Sequence, residues 1–175
     1  MTKVLFVCSG NIFRSLSAER ALRSVLPPGS DIEASSAGTI AKPEKPIRQD
    51  VKDALARWGV DASDHKPRLL TREILEESDL VVAMNTDHQK FIADNFGLRV
   101  PLYMDIVDGS GLPFPDLPDI LPGYWRPENE EAAHAYVNAS VDRIFRFREA
   151  FAARLPLFLP HPPATGPVPA SPSPN

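Results

Sequence analysis

The sequence predicts an α/β fold, a parallel sheet flanked by helices, on three observations. Short apolar runs such as Lys3–Val7 and Asp79–Met84 have the length and composition of strands buried on both faces. Segments with apolar residues at helical spacing separate these runs, and strands that alternate with helices call for parallel pairing. Ligands in such folds sit beyond the carboxyl ends of the strands. The only cysteine of the chain, Cys8, falls in the turn after the first run.

Taken in order, Lys3–Val7 is the first strand. Ser15 to Leu26 carries Leu16, Ala18, Ala21, Leu22 and Leu26 on one helical face and stops at Pro27 and Pro28. Asp31–Ser35 is a weak strand. Arg48 to Trp58 is an amphipathic helix (Val51, Ala54, Leu55, Trp58) with Gly59 placed as its C-cap. Thr71–Glu77 is a short helix with Thr71 as N-cap. Asp79–Met84 is the clearest buried strand, Thr86–Asn95 a helix and Val100–Met104 a fourth and last strand. Asp105–Pro127 reads as a long, proline-rich loop without secondary structure, of a length that is functional when it occurs inside a domain. Glu128 to Leu155 makes one closing helix.

Composition narrows the function. The 175 residues suit one domain, here 1–155, and the hydrophobic and charged fractions of 43% and 24% are those of an ordinary globular protein. A net charge of −4 gives no basic footprint for nucleic acid, and no basic amphipathic stretch suggests a membrane surface. The opening MTKVLFVCSGN has too short an apolar run for a signal peptide, so a reducing, cytoplasmic location is expected. One cysteine makes neither an internal disulfide nor a cysteine-rich metal site, and neither metal nor cofactor is expected. Eight of the 19 prolines lie in 156–175, a nearly uncharged segment expected to be a disordered tail.

The chemistry concentrates in Cys8-Ser9-Gly10-Asn11-Ile12-Phe13-Arg14-Ser15, which joins a strand directly to a helix. A loop entering a helix N-terminus presents unpaired N–H groups and the positive end of the helix dipole. Gly10 and Asn11 tolerate positive φ, which lets successive N–H groups turn inward as an anion nest. Arg14 has the planar fork that grips two phosphate oxygens. Cys8 in that field is expected to be a thiolate, and thiolate plus oxyanion cradle gives attack on phosphorus through a phosphocysteine intermediate. A bare cysteine at a strand end is more often a small buried hydrophobe. Gly, Asn, Arg and Ser at four fixed offsets from it, each at ~5–7% background, make coincidence roughly a one-in-10⁵ event.

VLFVCSGNIFRSLSAERALR resembles the opening of the low-molecular-weight protein tyrosine phosphatases, whose pattern is strand–Cys-x5-Arg-Ser–helix. The likeness continues through SSAGT (Ser35–Thr39), GVDASDHKPRLLT (Gly59–Thr71) and SDLVVAM (Ser78–Met84). It implies a four-stranded parallel sheet, with Cys8 as nucleophile, Arg14 as phosphoryl clamp and Ser15 as hydrogen-bond donor to the thiolate. It also implies that Asn11 is held left-handed by a network of Ser15, Ser36 and His65. The substrate implied is a phosphorylated protein or a small phosphate ester.

A phenolate or alkoxide leaving group needs a proton, which a positioned Asp supplies before it activates the attacking water. The resemblance places this Asp in the loop before the last helix, here Phe114-Pro115-Asp116-Leu117-Pro118-Asp119-Ile120. Aligned on an Asp-x-Pro-Asp pattern, Asp119 is the expected acid and Asp116 the runner-up. Each also fits a turn-forming Asp beside proline. The chain departs from the family at several points. Ile120, Leu121 and Pro122 replace a proline and tyrosines, with Tyr124 and Trp125 following. Ile40-Ala41-Lys42 offers no aromatic wall, Phe13 replaces a second loop cysteine, and Asn85 follows Met84 where an aspartate is usual. Two other readings stand beside the phosphatase. One is an arsenate reductase-like enzyme that would need external thiols at every step. The other is a non-catalytic module that binds a phospho-ligand.

Overall fold

The computed structural model describes residues 1–159. It shows an α/β fold in which a parallel sheet is flanked by helices. The sheet has three strands, β1 (Thr2–Cys8), β2 (Ile32–Gly38) and β3 (Leu80–Ala83), in the order β2-β1-β3. β1 is central and pairs in parallel with both neighbours, from Thr2 opposite Ile32 to Cys8 opposite Gly38, and from Val4 opposite Leu80 to Val7 opposite Ala83. The chain therefore crosses to one side of β1 and then to the other. That reversal opens a crevice at the carboxyl end of β1, where Cys8 lies.

β1 is apolar on both faces because both are covered. Val4, Phe6 and Cys8 face a core formed with α1 (Arg14–Arg23), α2 (Gln49–Ala56) and the long α7 (Glu130–Arg154). Leu5 and Val7 face a smaller cluster with Leu70, Leu75 and Ile92, which brings in α3 (Arg72–Glu76) and α4 (Thr86–Phe96). The helix ends follow local chemistry. The Thr71 side chain accepts the Ile74 N–H, Asn85 caps α4, and Gly97 ends it in the left-handed region at φ 73°.

Two sequence expectations are corrected. The fourth strand at Val100–Met104 is absent: this stretch makes a single bridge, Ala83 with Leu102, in which the Ala83 N–H donates to Pro101 O at 2.9 Å. Pro101 has no N–H to extend the ladder, and the Leu102 N–H donates instead to the Asp105 carboxylate at 2.7 Å. That bond starts a helix, α5 (Tyr103–Val107). The loop at 105–127 is likewise not structureless. It holds the end of α5, then α6 (Leu117–Ile120), whose N-cap is Asp116, and reaches α7 through a 3-10 turn at Pro127–Asn129.

α7 ends in another 3-10 turn, Leu155–Leu157, with Leu155 buried and Phe158 and Leu159 packed against the larger core. The packed chain thus continues past Leu155 because these side chains still find apolar surface. The remainder of the segment expected as a tail, 160–175, lies outside the described residues. Among the described residues no helix is long and apolar enough to cross a membrane.

Candidate active site

Cys8 ends β1, and Arg14 opens α1 after five intervening residues. No side chain caps the N-terminus of α1, and its first turn carries no acidic residue. The inward N–H groups of that turn and the helix dipole are therefore available to an anion. Ser15 Oγ lies 3.0 Å from Cys8 Sγ, within hydrogen-bonding distance of the sulfur.

The bend that makes the loop possible is at Asn11, the only non-glycine residue with positive φ among the described residues, at 54°. Such a conformation is strained and persists only where its surroundings impose it. Here every polar atom of the Asn11 side chain is engaged. Nδ2 donates to Ser15 Oγ (3.1 Å) and Ser36 Oγ (2.8 Å), and Oδ1 accepts the Arg68 N–H at 2.9 Å. His65 Nε2 donates to the Asn11 carbonyl at 2.7 Å, which fixes the proton on that nitrogen, and burial pushes the His65 pKa down. Ser36 in turn donates to buried Glu19. The sequence reading named Ser15, Ser36 and His65, and the structure brings all three onto Asn11. It missed Glu19 and Arg68, although Arg68 lies within the HKPR that carries the resemblance.

β2 supports the loop from beside it. Thr39 and Ile40 donate N–H bonds to the carbonyls of Cys8 and Ser9 at 2.9 and 3.0 Å. Gly38 permits this approach, since a Cβ there would sit 2.4 Å from Ser9 O.

Arg14 is 1% exposed, and its fork is held from three sides. Nη1 donates to Phe114 O at 3.0 Å, Nη2 to Ser9 Oγ at 3.4 Å, and Nη2 lies 2.6 Å from Asp116 Oδ2. Nε is buried without a partner among the described residues. A phosphoryl group on the loop would supply the acceptors such a guanidinium requires.

The structure places the two aspartates differently. Asp116, the runner-up, lines the cavity with Cys8, Ser9 and Arg14. Asp119, the expected acid, does not line it. Its Oδ2 accepts the Asp116 N–H at 2.8 Å and faces Asn85 Nδ2 at 3.4 Å. The cause is the N-terminus of α6: with Asp116 as N-cap, Asp119 falls at the third helical position and closes a capping box. Asp119 therefore positions Asp116.

The cavity of about 280 Å³ has Ile12 and Phe13 at the loop, Ile40 and Tyr124 as walls, and Lys45 and Arg48 at the rim. Of the two late aromatics, Tyr124 reaches the cavity, while Trp125 stands 71% exposed beside it, edge-on at 5.4 Å between ring centroids. Arg48 lies over the Tyr124 ring at 5.4 Å and also pairs with buried Asp50. Arg48 and Lys45 were not foreseen, since a cation in a turn is ordinarily a solvated surface charge. A larger cleft of about 350 Å³ lies at the amino end of β3, by Asp79, Leu80, Phe96 and Pro101, away from Cys8 and its loop.

Comparison with known proteins gives the family. The model of a family described as low molecular weight phosphotyrosine protein phosphatase matches residues 3–119. A protein-arginine-phosphatase of Bacillus subtilis is 36% identical over 95 residues, which cover 54% of this chain and 63% of that protein. The low molecular weight protein-tyrosine-phosphatase Etp of Escherichia coli is 38% identical over 85 residues, 49% of this chain and 55% of that protein. The matched part thus spans less than two thirds of these curated relatives. Among solved structures, the YwlE arginine phosphatase, in a variant with a phosphorylated active-site serine, superposes with a TM-score of 0.72 at 26% identity, covering 89% of this chain and 96% of that one.

Proposed function

The chain belongs to the low molecular weight phosphotyrosine protein phosphatase family, and on that premise we propose that it hydrolyses phosphate monoesters of tyrosine through a phosphocysteine at Cys8. The observation that carries the proposal is the convergence of Cys8, Arg14 and Asp116 on one cavity.

The Cys8 thiolate attacks phosphorus, and the bond from phosphorus to the ester oxygen breaks. Loop N–H groups and Arg14 hold the oxygens of the transferring group, where charge is greatest in the transition state. Asp116 gives its proton to the departing oxygen. It then takes a proton from the water that attacks phosphocysteine, releasing phosphate and the thiolate. Ser15 Oγ, 3.0 Å from the sulfur, eases that second departure by hydrogen-bonding the thiolate as it forms. The free enzyme holds the Asp116 carboxylate on Arg14 at 2.6 Å, so an arriving phosphate ester competes for Arg14, and the displaced carboxylate takes up a proton from solvent and becomes the acid beside the leaving group.

The walls bear on substrate class. Ile12, Ile40 and Tyr124 form an apolar slot for a flat ring, and Lys45 and Arg48 favour a substrate with negative charge around the phosphate. This supports a phosphotyrosyl protein. The identity to a protein-arginine-phosphatase supports a second reading, phosphoarginine, but a basic rim is a poor match for a second guanidinium. A nucleophilic cysteine without a disulfide partner suits the reducing cytoplasm. A panel of phosphotyrosine, phosphoserine and phosphoarginine peptides, assayed with wild type and Cys8→Ser, tests the proposal. We expect phosphotyrosine to be turned over fastest and the serine variant to be inert. Phosphoarginine as the best substrate would replace the tyrosine reading.

A further inference from the structure

Ser9 follows the nucleophile and lines the cavity, yet the mechanism above uses none of its side chain. Its Oγ meets two groups, His88 Nε2 at 3.0 Å and Arg14 Nη2 at 3.4 Å. His88 comes from the first turn of α4 and is 1% exposed, and its Nδ1 is buried with no partner among the described residues. A histidine driven so deeply beneath a phosphate loop, with one contact to a serine in that loop, needs a reason.

Counting protons supplies one. A hydroxyl has one hydrogen and two lone pairs, and arginine only donates, so Arg14 occupies one lone pair of Ser9. The His88 tautomer decides the other. Burial and the Arg14 cation push the His88 pKa down to about 3, so the ring is neutral and carries one N–H. On Nδ1 that hydrogen would be a buried donor facing no acceptor. On Nε2 it donates to Ser9 Oγ and leaves only a lone pair unmatched, the lighter penalty. Both lone pairs of Ser9 are then filled by donors on the protein side. The hydroxyl hydrogen is left to point away from both, toward the cavity.

We propose that Ser9 is a catalytic residue whose side-chain hydroxyl donates a hydrogen bond to a phosphoryl oxygen, and that His88 is a positioning residue that turns this hydroxyl toward the substrate. The proposal rests on the phosphatase reading and adds to the backbone cradle and Arg14 a third kind of donor.

The test is a double-mutant cycle read on two quantities, kcat for an aryl phosphate and the affinity for inorganic phosphate. Ser9→Ala should lower kcat about tenfold and weaken phosphate binding by about as much, the usual cost of losing a donor to a charged acceptor. Its melting temperature should stay within a few degrees of wild type, and Ser9→Thr, which keeps the hydroxyl, should recover most of both losses. His88→Leu should match Ser9→Ala, and the double variant should lose no more than either single change, since one acts through the other. If Ser9→Ala stays within twofold of wild type on both readouts, or if the two losses multiply, the inference is overturned. Should His88→Leu fail to fold, the Ser9→Ala and Ser9→Thr pair decides alone. Absence of turnover by wild type would overturn the phosphatase reading instead, and the phosphate-binding arm would still report on Ser9.

Discussion

The loop from Cys8 to Ser15 and the segment from Asp108 to Arg126 both contribute to one cavity, but they are held in different ways. In the loop, the backbone bend at Asn11 is over-determined by Ser15, Ser36, His65 and Arg68, and the residues are mostly buried. The later segment lies largely at the surface and touches the rest at a few points. The Phe114 N–H donates to Met84 O at 2.8 Å, Tyr136 Oη donates to Pro115 O at 2.7 Å, Leu117 is buried, and Asp116 meets Arg14. The difference follows the chemistry. On the proposed mechanism Cys8 and Arg14 would serve both half-reactions from one position, so preorganisation would be an advantage there. On the same mechanism Asp116 would have to leave Arg14, take up a proton, give it and then take one back, which a lightly tied carboxylate can do.

The largest effect should separate binding from chemistry within the tied region. Cys8→Ser should lower turnover of an aryl phosphate by at least about 10⁴-fold, because a serine hydroxyl in that cradle stays protonated. Phosphate or vanadate should still bind, since Asn11, Arg14 and the helix N-terminus are untouched. Residual turnover within tenfold of wild type would exclude the phosphocysteine route.

Next in size are the aspartates. Asp116→Ala should lower kcat by ~10²–10³ for esters with poor leaving groups, and far less for p-nitrophenyl phosphate, whose phenolate hardly needs a proton. Asp119→Ala should cost only about 3- to 10-fold, because it removes a cap on α6 and not the acid. Exchanged phenotypes would return the role to Asp119. Between those two falls Asn11→Ala, which meets the strain of φ 54° without the hydrogen bonds that impose it. It should destabilise the protein by about 2–4 kcal/mol in denaturant titration and reduce kcat by about tenfold or more. Asn11→Gly, which relieves the strain but not the lost bonds, should fall between the two. A neutral Asn11→Ala would mean that the loop is no better tied than the acid segment.

The same contrast governs what the sequence could reveal. The phosphate loop was legible because its determinants are local: a strand, five residues, Arg14 and Ser15 in one run. Even Ser36 and His65 were reachable, since each sits in a stretch that resembles the family. The segment from Asp108 to Arg126 was less legible, because which aspartate meets the cavity turns on which of the two caps a four-residue helix and on tertiary contact with Arg14. The missing fourth strand failed for a related reason. Val100–Met104 has strand-like composition, but Pro101 cannot donate and Asp105 captures the next N–H. His88 left no signal at all. One histidine in the first turn of an amphipathic helix looks like any other until the fold buries it.

The smallest predicted effect asks whether the tied region is as dry as its geometry implies. His88 is held neutral, its pKa lowered to about 3 from 6.5, first by burial and then by the Arg14 cation, with Asp116 and Asp119 opposing weakly. Asp87, 3.6 Å from Nε2, is largely exposed. Above pH 6.5 the ring is neutral in folded and unfolded chains alike, and the full stability is present. As pH falls from 6.5 toward 3 the unfolded chain binds a proton that the folded one refuses, so stability is lost, by at most about 1.4 kcal/mol per pH unit for one such group. His65, lowered by its own burial, acts in the same direction. Unfolding free energies of wild type and His88→Gln, measured by denaturant titration from pH 7 to 4.5, isolate the first contribution, since carboxylates and His65 are common to both proteins. The wild-type curve should fall more steeply, and the difference between the two should shift by about 2–3 kcal/mol across that range. Parallel curves would mean that His88 takes up its proton in the folded protein. The imidazolium would then sit against Arg14, and the loop would be open to water at the point where its burial is greatest.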